Sequence, residues 1–290
     1  MKPAPFEYFA PDTLAEAFDL LQQRAGDARV LAGGQSLVPL LSFRLVKPAA
    51  LVDINGLGEL AYMRRENGNI AIGAGTRQRQ VLASDEVSEM CPLLSEAVPY
   101  IGHPAIRNRG TVAGSIAHAD PAAELPVVAA ALDAEMVVRN SRGERSLKPE
   151  DFFLTFLTTA IEPDEMLVEV RFPLLGPRTG ANFQEVSRRY GDYALVAVAA
   201  TVTLDERDRC QSVRAALGGV GGTPVRARAV EQALTGAEPT EAALEEAAQL
   251  VKREIEPATD IHASAEYRSH VATVLVRRAL QAAAERARER

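Results

Sequence analysis

Leu31-Ala32-Gly33-Gly34-Gln35-Ser36-Leu37 sits where a short buried strand, Arg29 to Ala32, turns into a helix. Two adjacent glycines let the backbone approach a ligand closely and adopt positive φ, and the N–H groups exposed at such a turn form a nest for an anion, typically phosphate. Ser36 adds a hydroxyl donor. Most Gly-Gly pairs are only tight turns, so taken alone the stretch is a weak phosphate signal. It is not a GxGxxG fingerprint, which speaks against a Rossmann dinucleotide fold.

A second segment changes the weighing. Arg107-Asn-Arg-Gly-Thr-Val-Ala-Gly-Ser-Ile-Ala-His-Ala-Asp120, followed by Pro121-Ala-Ala-Glu124, gathers small residues, hydroxyls and two glycines. It is too polar for a core strand and too Gly-rich for a helix, so it reads as an ordered loop. Backbone donors at Gly110, Thr111, Gly114 and Ser115 would cradle a second phosphate, and Asp120 or Glu124 would accept from ribose hydroxyls. The plainer reading is a surface loop with Asp120 capping the following helix. Two phosphate-suited loops about eighty residues apart favour the first reading, because a pyrophosphate needs two walls. A third segment, Arg188-Arg-Tyr-Gly-Asp-Tyr-Ala-Leu195, reads as a tight turn between strands at Gly191 and Asp192, with Tyr193 at a sheet edge.

Around these loops the pattern is α+β. Thr13 and Glu16 predict a capping box for a helix bearing Leu14, Ala17, Phe18 and Leu21 on one face, stopped at Gly26. Strands are expected at Arg29 to Ala32 and Ala50 to Ile54, with hairpins over Asn67-Gly68-Asn69 and Asn140 to Gly143. Thr76 is expected to cap a helix from Arg77 to Ala83, and Leu125 to Leu132 to be helical. Met166 to Phe172 alternates like a half-buried strand. Pro173 to Gly180 is the best linker. Beyond it Phe183 to Arg188, Ala194 to Leu204 and Cys210 to Leu217 predict a three-stranded antiparallel meander. Helices follow at Val225 to Leu234, Thr240 to Arg253 and Ala265 to about Arg286.

Composition narrows the function classes. The 290 residues carry a net charge of −7, and no Lys/Arg block stands out, so neither nucleic acid nor an anionic membrane is the expected partner. The longest stretch without an ionisable side chain, Val30 to Phe43, is too short to span a bilayer. No apolar h-region follows Met1, so a cytoplasmic protein is expected. Two cysteines, Cys91 and Cys210, cannot hold a four-thiolate cluster, and they read as small core residues. His103 and His118 read as half-buried, backbone-bonded side chains; His262 and His270 have no assigned role. With no metal ligands and no catalytic acid/base pair evident, an organic cofactor or another subunit is expected to carry the hard chemistry.

Ala32-Gly-Gly-Gln-Ser-Leu37 paired with Thr111-Val-Ala-Gly-Ser115 resembles the two flavin-binding loops of the medium, FAD-carrying subunit of molybdenum hydroxylases, the xanthine dehydrogenase and carbon monoxide dehydrogenase family. The resemblance continues through Ala117 to Glu124 and Arg189 to Ala194, and into Phe6 to Leu20 and Ile255 to Ile261, so it covers essentially the whole chain. It implies an FAD-binding domain over residues 1–175, of the vanillyl-alcohol-oxidase type, in two α+β lobes at about 1–56 and 57–175. A C-terminal domain over 180–286, a three-stranded antiparallel sheet packed on helices, would follow. By the same resemblance Leu31, Ala32, Gly33, Gly34, Gln35, Ser36 and Leu37 hold the pyrophosphate from one side. Gly110, Thr111, Val112, Ala113, Gly114 and Ser115 would form the other side. Ile101 and Asn108 would line the flavin pocket, with Asp120 and Glu124 toward ribose. Leu167 would lie at the adenine end and Tyr193 beside the isoalloxazine. Gln184 departs from relatives that place a Lys there, so no cationic contact to the cofactor is expected at that point.

The implied role is electron relay within a heterotrimer, probed by what this chain lacks. A large subunit with a molybdenum–pterin cofactor would hydroxylate substrate, and a small subunit with two two-iron two-sulfur clusters would pass electrons to FAD on this chain. The complex would be a dimer of such heterotrimers. Two other readings compete. A stand-alone flavin reductase or oxidase on the same fold would need an acid/base pair after Pro173, and none is evident. A scaffold subunit that has lost its cofactor would not need intact glycines in both loops. Neither the substrate (an N-heterocycle, an aldehyde, an acyl-CoA ester or carbon monoxide) nor the acceptor (NAD, quinone or oxygen) is readable from this chain.

Overall fold

The computed structural model describes residues 2–290. Its first sheet is parallel: β1 (Glu7–Phe9), β2 (Ala28–Leu31) and β3 (Ala50–Asp53) lie in the order β1-β3-β2. The helix Leu14–Gln23 connects β1 to β2. Its Thr13 Oγ1 accepts the Glu16 N–H at 3.2 Å, while the Glu16 carboxylate accepts from Asp12 instead of Thr13, and Ala17, Phe18 and Leu21 face the core. A short helix, Leu37–Ser42, opens directly after the Gly-Gly turn that ends β2.

The second sheet contains β4 (Met63–Glu66), β5 (Asn69–Gly73), β6 (Glu135–Asn140), β7 (Gly143–Leu147) and, after a small hairpin of β8 (Phe153–Thr155) and β9 (Thr158–Thr159), β10 (Met166–Pro173). Its order is β4-β5-β10-β6-β7, antiparallel throughout. Asn67 and Gly68 turn the first hairpin with φ of 49° and 77°. β10 is central, and Met166 to Val170 are all buried. The expected alternation fails there because the pairing with β6 shifts register between Leu167 and Glu169, and the Glu169 carboxylate is buried accepting from Tyr62 and Arg64.

After Pro173 the chain crosses to the third sheet, β11 (Thr179–Ser187), β12 (Ala194–Leu204), β13 (Cys210–Gly218) and β14 (Val225–Arg226), in sequential antiparallel order. The expected three-stranded meander therefore gains a fourth, two-residue strand where a helix start was predicted, and that helix begins at Arg228. The long helix Ala265–Glu289 covers this sheet so closely that a Cβ on Gly180 would stand 2.0 Å from the Ala283 carbonyl oxygen. Against the sheet also packs Glu124–Leu132, a helix buried at every position. A helix apolar on all sides is what a position between two sheets requires.

Two further expectations are corrected. The segment read as too Gly-rich for a helix contains one, Val112–His118, because Gly114 falls in the first turn, where the Thr111 side chain caps its N–H. Thr76 does not cap the next helix. Its hydroxyl donates to the Tyr62 carbonyl, and the helix runs Gln78–Leu82 behind Arg77.

Candidate functional site

The Gly-Gly turn presents an open row of donors. Among the described residues, no protein acceptor meets the N–H groups of Gly33, Gly34, Gln35 or Ser36. Gly34 has φ of +71°, and the Gln35 side-chain amide donates back to the Gly33 carbonyl at 3.1 Å. The turn lies directly on the second segment. A Cβ on Gly33 would be 2.5 Å from the Arg109 carbonyl oxygen and 2.7 Å from Gly110 Cα, and one on Gly114 would be 3.9 Å from the Ala32 Cβ. Two stretches about eighty residues apart thus form one surface, with free amides and little side-chain bulk. That surface fits a pyrophosphate, which needs donors and close backbone approach together.

The second loop contributes differently from what its sequence suggested. Gly110 N–H donates to Ile106 O at 2.7 Å, Gly114 N–H to Thr111 Oγ1 at 3.0 Å and Ser115 N–H to Thr111 O at 3.2 Å. These three expected phosphate donors serve the chain itself: the end of the helix Pro104–Arg107 takes the first, and the start of the helix Val112–His118 takes the other two. Val112 and Ala113 point their side chains into the core. The loop's part is therefore close approach: a Cβ on Gly114 would strike Thr111 Oγ1 at 2.6 Å and undo the cap.

At the other end, the turn between β11 and β12 docks on residues 99–103. Tyr190 donates to Pro99 O at 3.0 Å, and a Cβ on Gly191, whose φ is +85°, would stand 2.8 Å from the His103 ring. The buried Arg107 guanidinium donates to the carbonyls of Pro99, Ile101 and Gly102 at 2.9–3.2 Å, which fixes the loop carrying Ile101. Tyr193 keeps 56% of its surface in solvent, yet its hydroxyl faces Ser36 and Asp120. Surrounding protein, and then the Asp120 charge, raise its pKa, while the Ser36 hydroxyl opposes the shift.

Asp120 does not cap the next helix. Its Oδ1 accepts from Ala122 N–H at 2.9 Å, and Ala123 is the N-cap. Glu124 is 4% exposed, and burial, with Asp120 adding, lifts its pKa to about 7. Glu185 on β11 lies near it: one of its carboxylate oxygens is buried without a partner, and burial followed by the Glu124 charge lifts its pKa to about 8. Both groups have folded-state values above the usual carboxylate range near 4.3. Their stabilisation is therefore complete below about pH 4.3 and is lost as pH rises through about 7 to 8. Glu185→Gln is expected to leave the melting temperature of the flavin-free chain nearly unchanged at pH 4, where the carboxyl is protonated in both folded and unfolded chains. At pH 8 it should raise stability by about 1–2 kcal/mol. Parallel melts at the two pH values check this; equal shifts at both would contradict it.

The remaining expected site residues are placed less centrally. Asn108 ends the short helix Pro104–Arg107 and is exposed, and Leu167 is buried within β10. His103 is exposed, and neither its ring nor that of His118 makes a hydrogen bond to the described protein, contrary to expectation; burial lowers the His118 pKa. Cys91 and Cys210 are buried, with thiols pushed up to about 12 and about 11 by desolvation, as inert core residues should be. Among the described residues no cluster could hold a metal ion, and no helix is long and apolar enough to cross a membrane. Asn55, Arg77 and Gln78 are polar groups at the site that periodicity could not single out, since each acts through a carbonyl remote in sequence.

A parallel three-stranded lobe and an antiparallel five-stranded sheet, sharing a glycine-lined anion surface between them, define an FAD-binding subunit fold. Residues 4–175 match the family described as FAD binding domain in molybdopterin dehydrogenase, and residues 181–283 match the CO dehydrogenase flavoprotein C-terminal domain. The chain is 43% identical to the 6-hydroxypseudooxynicotine dehydrogenase complex subunit alpha of Paenarthrobacter nicotinovorans, over 99% of this chain and 97% of that one. It superposes on carbon monoxide dehydrogenase from Hydrogenophaga pseudoflava with a TM-score of 0.94 at 38% identity, covering 98% of each chain. With quinoline 2-oxidoreductase from Pseudomonas putida 86 the TM-score is 0.93, again at 38% identity, over 99% of each chain. The chain belongs to the family of FAD-carrying medium subunits of molybdenum hydroxylases.

Proposed function

We propose that this chain relays electrons within a heterotrimeric molybdenum hydroxylase, assembled in the cytoplasm as a dimer of heterotrimers. Its large partner would carry the molybdenum–pterin cofactor, and its small partner two two-iron two-sulfur clusters. The observation that carries the reading is the row of unpaired amides from Gly33 to Ser36, lying against Gly110 and Gly114. Residues 1–175, in lobes of about 1–56 and 57–175, would form the FAD domain and 180–286 the C-terminal domain. Leu31 to Leu37 would hold the pyrophosphate, with Gly110 to Ser115 as the opposite wall. Asp120 and Glu124 would accept from ribose hydroxyls. Ile101 and Asn108 would border the flavin, Leu167 the adenine end and Tyr193 the ring system.

The chemistry FAD supplies when bound is exchange between one-electron and two-electron transfer. The chain's own residues bind and orient: the amides fix the phosphates, Arg107 fixes the Ile101 loop and the Tyr190–Tyr193 turn closes over it. Relatives are named for substrates as unlike as caffeine, glyceraldehyde and carbon monoxide. Substrate choice would thus lie with the large subunit. Purification from the native host under mild conditions tests the assembly. Flavin, iron, labile sulfide and molybdenum on three co-eluting chains are expected, and flavin on a lone, metal-free chain would overturn the relay reading.

A further inference from the structure

We propose that Asn55 and Arg77 form a polar clamp that sets the spacing of the two glycine loops, and so lets the site prefer FAD over a flavin without a pyrophosphate. Asn55 Nδ2 donates to the Ala32 carbonyl at 2.8 Å, immediately before Gly33. Asn55 Oδ1 accepts from Arg77 Nη2 at 2.5 Å, and Arg77 Nη1 donates to the Arg109 carbonyl, immediately before Gly110. This is the same carbonyl that a Cβ on Gly33 would strike. The clamp thus runs from one loop to the other through residues 32, 55, 77 and 109.

Each part is braced. Asp53 Oδ1 accepts the Asn55 N–H at 2.9 Å, and the other Asp53 oxygen accepts from the Tyr8 hydroxyl at 2.5 Å. Gln78 N–H donates to Gly110 O at 2.9 Å, and a Cβ on Gly110 would stand 2.8 Å from the Gln78 side-chain oxygen. Arg77 is half-buried, and its fork is divided between an amide oxygen and a carbonyl oxygen instead of a carboxylate. Burial and the neighbouring Arg109 charge both act against that cation. A planar guanidinium can hold two acceptors in fixed directions; an ammonium on a flexible stem cannot. Loss of either clamp residue frees the loops to separate, which harms a ligand that bridges them and spares one that does not.

The inference rests on the pyrophosphate assignment above, and the test separates the two. The full chain, freed of flavin, is titrated with FAD and with FMN by fluorescence quenching, as wild type, Arg77→Lys, Asn55→Ala and the double variant. Each single change is expected to weaken FAD about 10- to 100-fold and FMN by less than about twofold. The double variant should lose little more than the worse single, because both residues serve one contact. Asn55 is exposed, so its alanine variant tests the clamp without threatening the fold. Wild-type FAD affinity in Arg77→Lys would show that charge alone matters and overturn the clamp. Equal losses for FAD and FMN would overturn it too. A wild type that binds FAD no tighter than FMN would instead refute the pyrophosphate assignment itself.

Discussion

Gly33→Ala is expected to purify nearly free of flavin, with FAD affinity at least about 100-fold below wild type. The new Cβ would lie 2.5 Å from the Arg109 carbonyl oxygen and 2.7 Å from Gly110 Cα, and both obstacles are backbone, which has no rotamer to escape into. The two loops must part, and the proposed pyrophosphate cradle opens with them. Gly34→Ala is a useful contrast. Its φ of +71° carries a strain cost, but its Cβ meets only the side chains of Leu31 and Val38 at 3.2 Å, which can yield. A smaller loss of affinity is expected there. Flavin content per chain, followed by FAD titration of the stripped protein, reads both variants. Stoichiometric flavin on Gly33→Ala would refute the shared surface.

Gly180→Ala is expected to cost more in stability than in binding. Its Cβ would fall 2.0 Å from the Ala283 carbonyl oxygen and 2.6 Å from the Ala287 nitrogen, so the helix Ala265–Glu289 must be levered away from β11. Separating a close-packed interface along several residues costs about 3 kcal/mol or more. For a chain of this size that corresponds to a fall in melting temperature of roughly 6–12 °C. Thermal unfolding followed by circular dichroism checks it. Because Gly180 is remote from the glycine loops, flavin content below the transition should stay close to wild type. An unchanged melting temperature would contradict the packing described here.

The glycine loops were legible in the sequence only as a pair, since most Gly-Gly stretches are mere tight turns and it is two such loops about eighty residues apart that suggest one ligand; the structure does bring Gly33 against Gly110. What each loop contributes was not legible. Whether Gly110, Gly114 and Ser115 donate outward or inward depends on where one helix ends and the next starts, and Thr111 starts one at a point where composition suggested none. The unbroken burial of Met166 to Val170 and the fourth strand at Val225–Arg226 are set by neighbours distant in sequence, so local periodicity could not report them. The same holds for Asn55, Arg77 and Glu185: each is an ordinary polar residue in a turn, helix start or strand until the tertiary fold supplies its partner.

The relay role is tested most directly by removing the flavin from the purified complex and assaying it with a substrate found by bleaching of its absorbance. Substrate should still reduce the iron–sulfur clusters, while turnover with the acceptor falls at least about 100-fold and returns when FAD is added back. Turnover that survives flavin removal, or clusters that substrate no longer reduces, would contradict a subunit whose part is to pass electrons from the clusters to an outside acceptor.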